Sequence, residues 1–151
     1  AFLEEDGIKS ERPYHVILFS HGYYSSALHE ISHWLVAGEA RRQLEDFGYW
    51  YEPDGRSAER QREFESVEVK PQAIEWVLAT AAGFRYFASA DNLLGNPGDN
   101  SAFKRAVYNQ VKVYAERGYL PKRAEILRKA LAKFYGTPDV IDLAMFDLAK
   151  I

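Results

Sequence analysis

The five residues His29-Glu30-Ile31-Ser32-His33, inside the stretch Ala27–Ala40, restrict this chain more than any other segment. The pattern is H-E-x-x-H. On a helix, residues four apart project from one face, so both imidazoles can aim at a single point. Two imidazoles so placed are half of a metal site, and Glu30 between them is available as a base or as a partner to a ligand. The flanks agree with a helix: Ser25 and Ser26 supply N-caps, and Leu28, Ile31, Leu35 and Val36 form an apolar stripe. A chance H-E-x-x-H in a chain of this composition is expected roughly once in a hundred. A helix that merely carries two histidines is therefore the weaker reading.

Cysteine is absent, which excludes disulfides and thiolate ligands and leaves imidazole and carboxylate as the metal donors. That donor set favours zinc, iron or manganese. At 151 residues the chain is expected to be a single domain, 1–151, with a core of its own. No long uncharged run could span a bilayer and no secretory leader is visible, so a cytoplasmic location is expected, although a chain starting at Ala1 without Met can be a trimmed one. The net charge of −3 is unevenly placed: residues 1–99 carry 9 basic and 17 acidic groups, and residues 100–151 carry 10 basic and 5 acidic groups. A basic C-terminal third is suited to docking on an acidic partner, protein or nucleic acid, or is simply a solvated lysine-bearing surface.

Along the chain, His15–Ser20 is a short β-branched and aromatic run of strand type, and His21-Gly22-Tyr23 turns into the histidine helix. His21 at that corner is a substrate contact, a third ligand or a locally satisfied histidine. Gly38 falls in the last turns of the helix, and Arg41-Arg42 suit its C-terminal end. Phe47–Tyr51 is a second strand-like run, whose Tyr49, Trp50 and Tyr51 can wall a pocket or pack in a core, and Glu52–Arg56 is a tight turn. Ser57–Gly83 is a long helical region, charged over Ala58–Glu65 and apolar over Ile74–Ala82. Pro71 is expected to bend or restart it. Glu68, at the junction of polar surface and core, is the preferred third ligand, with Glu65 next. A helix Ala102–Arg117 stops at Gly118, another spans Lys122–Tyr135 and stops at Gly136, and a last one is expected from Pro138 or Asp139 to Ala149. The fold class expected is α+β: a mainly helical domain with a small β-sheet, from about His15–Ser20 and Gly48–Glu52, packed on the H-E-x-x-H metal helix.

Two histidines and a carboxylate leave coordination positions open, which marks a catalytic site rather than a closed structural one. With zinc, Glu30 would deprotonate a bound water for hydrolysis, as in a peptidase. With iron(II), the same triad serves oxidation. The metzincin extension would need Gly at position 36 and His at 39, where this chain has Val36 and Glu39. A non-catalytic module with a structural metal is disfavoured by three ligands and no cysteine.

The ordered set His21-Gly22-Tyr23, His29–Trp34, Ala40-Arg41-Arg42, Asp46–Tyr51, Pro53–Arg56 and Val67–Ala73 resembles the bacterial elongation factor P hydroxylase (EpmC/YfcM) family, from about Tyr14 to Asn92 and more loosely beyond. Each fragment is modest by itself; their order is specific. The resemblance implies a non-haem Fe(II) enzyme using dioxygen, with any organic co-substrate unknown. It implies hydroxylation of one lysine of elongation factor P after that lysine has received a β-lysyl extension, a modification that helps ribosomes through proline runs. It implies a fold similar to a YbeY-type metal-dependent ribonuclease, a protein substrate, and no membrane or nucleic-acid partner. Carried over by position, His29 and His33 become the histidine ligands and Glu68 the carboxylate. Glu30 and His21 are then candidate catalytic residues. Glu65, Tyr49, Trp50 and Tyr51 are candidate contacts to a cationic extended lysine.

Overall fold

The computed structural model describes residues 13–44, 57–89 and 100–151. Its longest element decides the architecture. A helix spans Ala58–Ala81 (α3), and every residue from Pro71 to Ala79 in it is buried. A helix apolar nearly all round must be enclosed on all sides. The enclosing elements are a helix before it, Tyr24–Val36 (α1), and two after it, Ser101–Arg117 (α4) and Lys122–Tyr135 (α5), all of which pack on α3. A single short turn of helix, Glu39–Arg42 (α2), follows α1. The core joins Leu28 of α1, Ile74, Val77 and Leu78 of α3, Phe103, Val107, Val111 and Tyr114 of α4, and Ala124 of α5.

The expected sheet is not found: among the described residues there is no strand. His15–Phe19 has no regular structure and no strand partner among the described residues; Phe19 is extended and leads into a 3-10 turn, Ser20–Gly22. Tyr14, Leu18 and Phe19 are exposed, so the run is neither buried nor laddered. β-Branched and aromatic residues favour a strand only where a neighbouring strand takes their backbone groups and a packed face takes their side chains. The second expected strand, Gly48–Glu52, lies outside the described residues. Among the described residues the fold is all-helical, not α+β, and the likeness to the ribonuclease fold is not supported.

Three local expectations also shift. α3 runs unbroken through Pro71. Proline there removes one helical hydrogen bond, and the surrounding enclosed run holds the helix across the gap. α1 begins at Tyr24 with no side-chain cap, and Ser26 Oγ instead accepts the backbone N–H of Ser20 (2.9 Å). α1 stops at Val36, so Gly38 caps α2 rather than lying in α1, while Arg42 still reaches the end of α1 by donating to the Ala37 carbonyl (2.6 Å). Arg123 of α5 donates to the Trp34 carbonyl (3.0 Å) and lies over the Trp34 ring, 3.9 Å from its centroid, which clamps α5 to the end of the histidine helix.

α4 and α5 end at Gly118 (φ 84°) and Gly136 (φ 68°), left-handed positions that glycine adopts without a Cβ penalty. The expected terminal helix is replaced by two 3-10 turns, Leu143–Met145 and Leu148–Lys150, whose N–H groups are taken by Asp142 and Asp147. The near-repeat D-L-A at a five-residue spacing does not match the 3.6-residue helical period, and it seats Ile141 and Phe146 in the core instead. Among the described residues no helix is long and apolar enough to cross a membrane.

Candidate metal centre

α1 carries its histidines on the face that meets α3. Leu28 and Ser32, one residue before each histidine, are buried in that contact, and Ser32 Oγ donates to the Leu28 carbonyl (2.7 Å). This leaves the His29 and His33 rings half-buried, with centroids 4.8 Å apart and Nε2 atoms 3.2 Å apart. From α3, Glu68 is 5% exposed and places Oε1 3.0 Å from His33 Nε2 and Oε2 3.7 Å from His29 Nε2. One donor atom from each of His29, His33 and Glu68 lies within 4.8 Å of the others, the one such group of metal-ligating side chains among the described residues.

These donors fit a metal ion. Two imidazole nitrogens each about 2.1 Å from one ion, at angles of about 90–110°, would lie about 3.0–3.4 Å apart. The observed 3.2 Å falls inside that interval. Imidazole and carboxylate together suit zinc or iron, and three protein ligands leave room for further ones.

Behind Glu68, Gln72 is fully buried and every hydrogen-bonding capacity of its amide is used. Its Nε2 donates to Glu68 Oε2 (3.1 Å) and to the Ser89 carbonyl (2.6 Å), while its Oε1 accepts from Tyr86 Oη (2.7 Å) and from the Ser89 N–H (3.0 Å). A satisfied amide of this kind has one orientation, and through it Glu68 has one as well. Behind His29, Glu75 Oε2 lies 2.8 Å from Nδ1.

The electrostatics follow from burial and pairing. Burial opposes charge on Glu68, but the hydrogen bond from His33, the nearby His29 and the Gln72 amide together hold its carboxyl below the usual range. Burial also works to keep His29 neutral, and the bond to Glu75, with the charges of Glu75, Glu68 and Glu30, overcomes it and pushes the imidazole up to about 9. Glu75 is pushed up, by burial first and by the like charge of Glu68, against the pull of His29. Without a metal, His29 and Glu75 therefore hold protons more tightly than they would in water, and Glu68 less tightly.

Of the other residues singled out from sequence, Glu30 lies half-buried beside His29 and close enough to add to its positive shift. Glu65, half-buried one turn before Glu68, accepts from Gln61 Nε2 (3.2 Å) and is not part of the triad. His21 is exposed, has φ 52°, and pairs with Ser20 Oγ and the Tyr23 ring; it is not in the metal-ligating group. Tyr49, Trp50 and Tyr51 lie outside the described residues. The sequence reading missed Glu75 and Tyr86 and gave Gln72 no role. A usable signal existed: Glu68, Gln72 and Glu75 repeat at i, i+4 and i+7, a polar row on one face that runs into the buried half of the helix.

Comparison with known proteins identifies the family. A family profile described as elongation factor P hydroxylase matches residues 6–146. A protein of Haemophilus influenzae named elongation factor P lysine hydroxylase is 74% identical over 141 residues, covering 93% of this chain and 79% of the relative. The hydrolase reading of H-E-x-x-H is thereby set aside: the chain belongs to the elongation factor P hydroxylase family.

Proposed function

We propose that this chain is a non-haem iron(II), dioxygen-dependent hydroxylase of a lysine side chain of elongation factor P, acting after that lysine has been extended with a β-lysyl group. Family membership supports the hydroxylase activity and the protein substrate. The observation that carries the metal chemistry is the convergence of His29, His33 and Glu68. Those three residues would hold the iron, which when bound supplies the binding and activation of dioxygen. Insertion of one oxygen atom into a C–H bond sends the other to water and consumes two electrons, which an added reductant must provide.

The chain's own groups prepare the substrate side. The extended lysine is cationic, and Glu30, Glu68 and Glu75 make the site acidic. Glu30 is the proposed relay beside the metal for the two protons that the water-forming oxygen takes up; His21, Glu65 and the aromatic residues Tyr49, Trp50 and Tyr51 are proposed substrate contacts. The basic outer face of α5 is the proposed docking surface for the protein substrate. Lys122, Lys129 and Lys133 are exposed there without ion-pair partners among the described residues, and the one acidic residue of α5, Glu125, is engaged by Arg128. Such a surface speeds encounter more than it strengthens the final complex. The proposal treats residues 1–151 as one cytoplasmic catalytic domain.

The test is the intact mass of β-lysylated elongation factor P after incubation with the protein, iron(II), air and ascorbate, with a parallel arm in cell extract. The expected result is a gain of one oxygen that requires both the β-lysyl group and His29, shown by unmodified factor and by His29→Ala. Absence of the gain in both arms, with iron bound, overturns the proposal.

A further inference from the structure

We infer that Glu75 is the positioning residue that fixes the His29 ring, so that Nδ1–H is committed to the carboxylate and Nε2 alone faces the metal. The inference rests on the proposed metal site and adds to it the device that orients one ligand.

Glu75 is 7% exposed and stands in the run Pro71–Ala79, where every residue is buried. A carboxylate withdrawn from water into such a run costs several kcal/mol unless a partner compensates it. The hydrogen-bond partner of Glu75 among the described residues is His29 Nδ1, at 2.8 Å. Its position is not incidental to the helix. Glu68, Gln72 and Glu75 occupy one face of α3, and each acts toward the site: Glu68 as donor, Gln72 on the free side of Glu68, Glu75 on the free side of His29.

The two histidines are held differently. His33 Nε2 touches both Glu68 and His29, whereas His29 is gripped on the nitrogen that points away from the site. An imidazole can rotate about its χ2 and can carry its proton on either nitrogen. A carboxylate on Nδ1 removes both freedoms and leaves the lone pair of the neutral ring on Nε2. The geometry therefore points to a carboxylate–histidine–metal arrangement in which Glu75 never touches the ion.

The test uses zinc as a diamagnetic probe and iron(II) for affinity. In zinc-loaded protein, ¹⁵N–¹H correlation of the histidine rings should show His29 coordinated through Nε2, with an Nδ1–H that is protected from exchange. Glu75→Leu should weaken iron(II) binding, measured by chelator competition, about 10–100-fold, and Glu75→Gln, which keeps an acceptor oxygen, should recover most of that loss. Coordination through Nδ1, or a freely exchanging Nδ1–H, overturns the inference without recourse to a variant. A folded Glu75→Leu protein that binds iron(II) within twofold of the original also overturns it. His33→Ala separates the two readings: if it too leaves metal binding intact, the site itself is wrong, whereas loss in His33→Ala alone removes only the role of Glu75.

Discussion

Arg128 in α5 and the His29–His33–Glu68–Glu75 group between α1 and α3 both take charge out of water, and they do so with opposite geometry. Arg128 is 2% exposed, and its Nε and Nη2 meet acceptors: they grip the two oxygens of Glu125 at 2.9 and 2.7 Å, and Nη2 also reaches Asp139 at 2.7 Å, while Nη1 is buried without a partner among the described residues. Glu125 in turn accepts the Leu120 N–H (3.0 Å), which ties the α4–α5 turn to the helix it opens. At the metal centre, by contrast, the atoms that approach one another are all able to accept: two imidazole nitrogens 3.2 Å apart and a carboxylate oxygen 3.0 Å from one of them. One cluster sets a cation against carboxylates of its own chain. The other closes only around protons or a cation, which is the physical signature separating a site from a staple.

The comparison breaks most sharply at His33. His33→Ala is expected to abolish turnover and to weaken iron(II) binding by more than about 100-fold, because losing even an outer partner of a ligand typically costs about 10–100-fold. Metal should raise the melting temperature of the original protein and leave that of the variant unchanged. A variant still stabilised by metal would show that the converging atoms are not the ligands.

Arg128→Met should do the reverse. Removing the cation leaves Glu125 without its fork and is expected to cost about 3 kcal/mol, near the lower end for breaking a buried pair because Asp139 is largely exposed. For a chain of this size that is a fall of about 6–12 °C in melting temperature. Iron(II) affinity of the folded protein should not change. If affinity falls with stability, the two clusters are coupled and the distinction fails.

A smaller effect separates the clusters by pH in metal-free protein. The raised His29 imidazole contributes stability that is fully present below about pH 6.5 and is lost as pH rises through about 9. The lowered Glu125 carboxyl, where burial is outweighed by the Arg128 and Leu120 bonds, contributes stability that is present above about pH 4.5 and is lost as pH falls through its depressed value. Melting temperature followed across pH should therefore decline on the alkaline side in the original protein and lose that decline in His29→Ala, while Arg128→Met flattens the acid side. An alkaline limb unchanged by His29→Ala would remove the Glu75 pairing from the account.

How much of this was legible in the sequence divides along the same line. The helical spacing put His29 and His33 on one face, and the change from polar to apolar composition singled out Glu68, because both signals are local. Gly118 and Gly136 likewise marked the ends of α4 and α5. The failures are non-local. Val16, Ile17 and Leu18 have strand-forming side chains, but whether a strand forms depends on a partner that local sequence does not specify. Pro71 ends helices in isolation, and only enclosure by α1, α4 and α5 carries α3 through it. Glu75 was passed over inside an apolar run because its partner, His29, is 46 residues away. The period of 4 and 3 from Glu68 through Gln72 to Glu75 was the one trace of that pairing left in the sequence.

The smallest expected effect tests whether burial, rather than the mere presence of opposite charges, gives the Arg128 cluster its weight. Lys112 and Glu116 on α4 form an i,i+4 pair at 4.0 Å, with side chains 53% and 66% exposed. Water screens that pair, ordering two long side chains offsets its attraction, and Lys preceding Glu is the less favourable order relative to the helix dipole. Alanine is also a slightly better helix former than lysine. Lys112→Ala is therefore expected to shift stability by less than about 0.5 kcal/mol, or about 1–2 °C in melting temperature, in either direction. A loss approaching that of Arg128→Met would mean that proximity of charge, not enclosure, sets the strength of ion pairs in this chain, and the metal centre would then have to be separated from the Arg128 cluster by its converging acceptors alone.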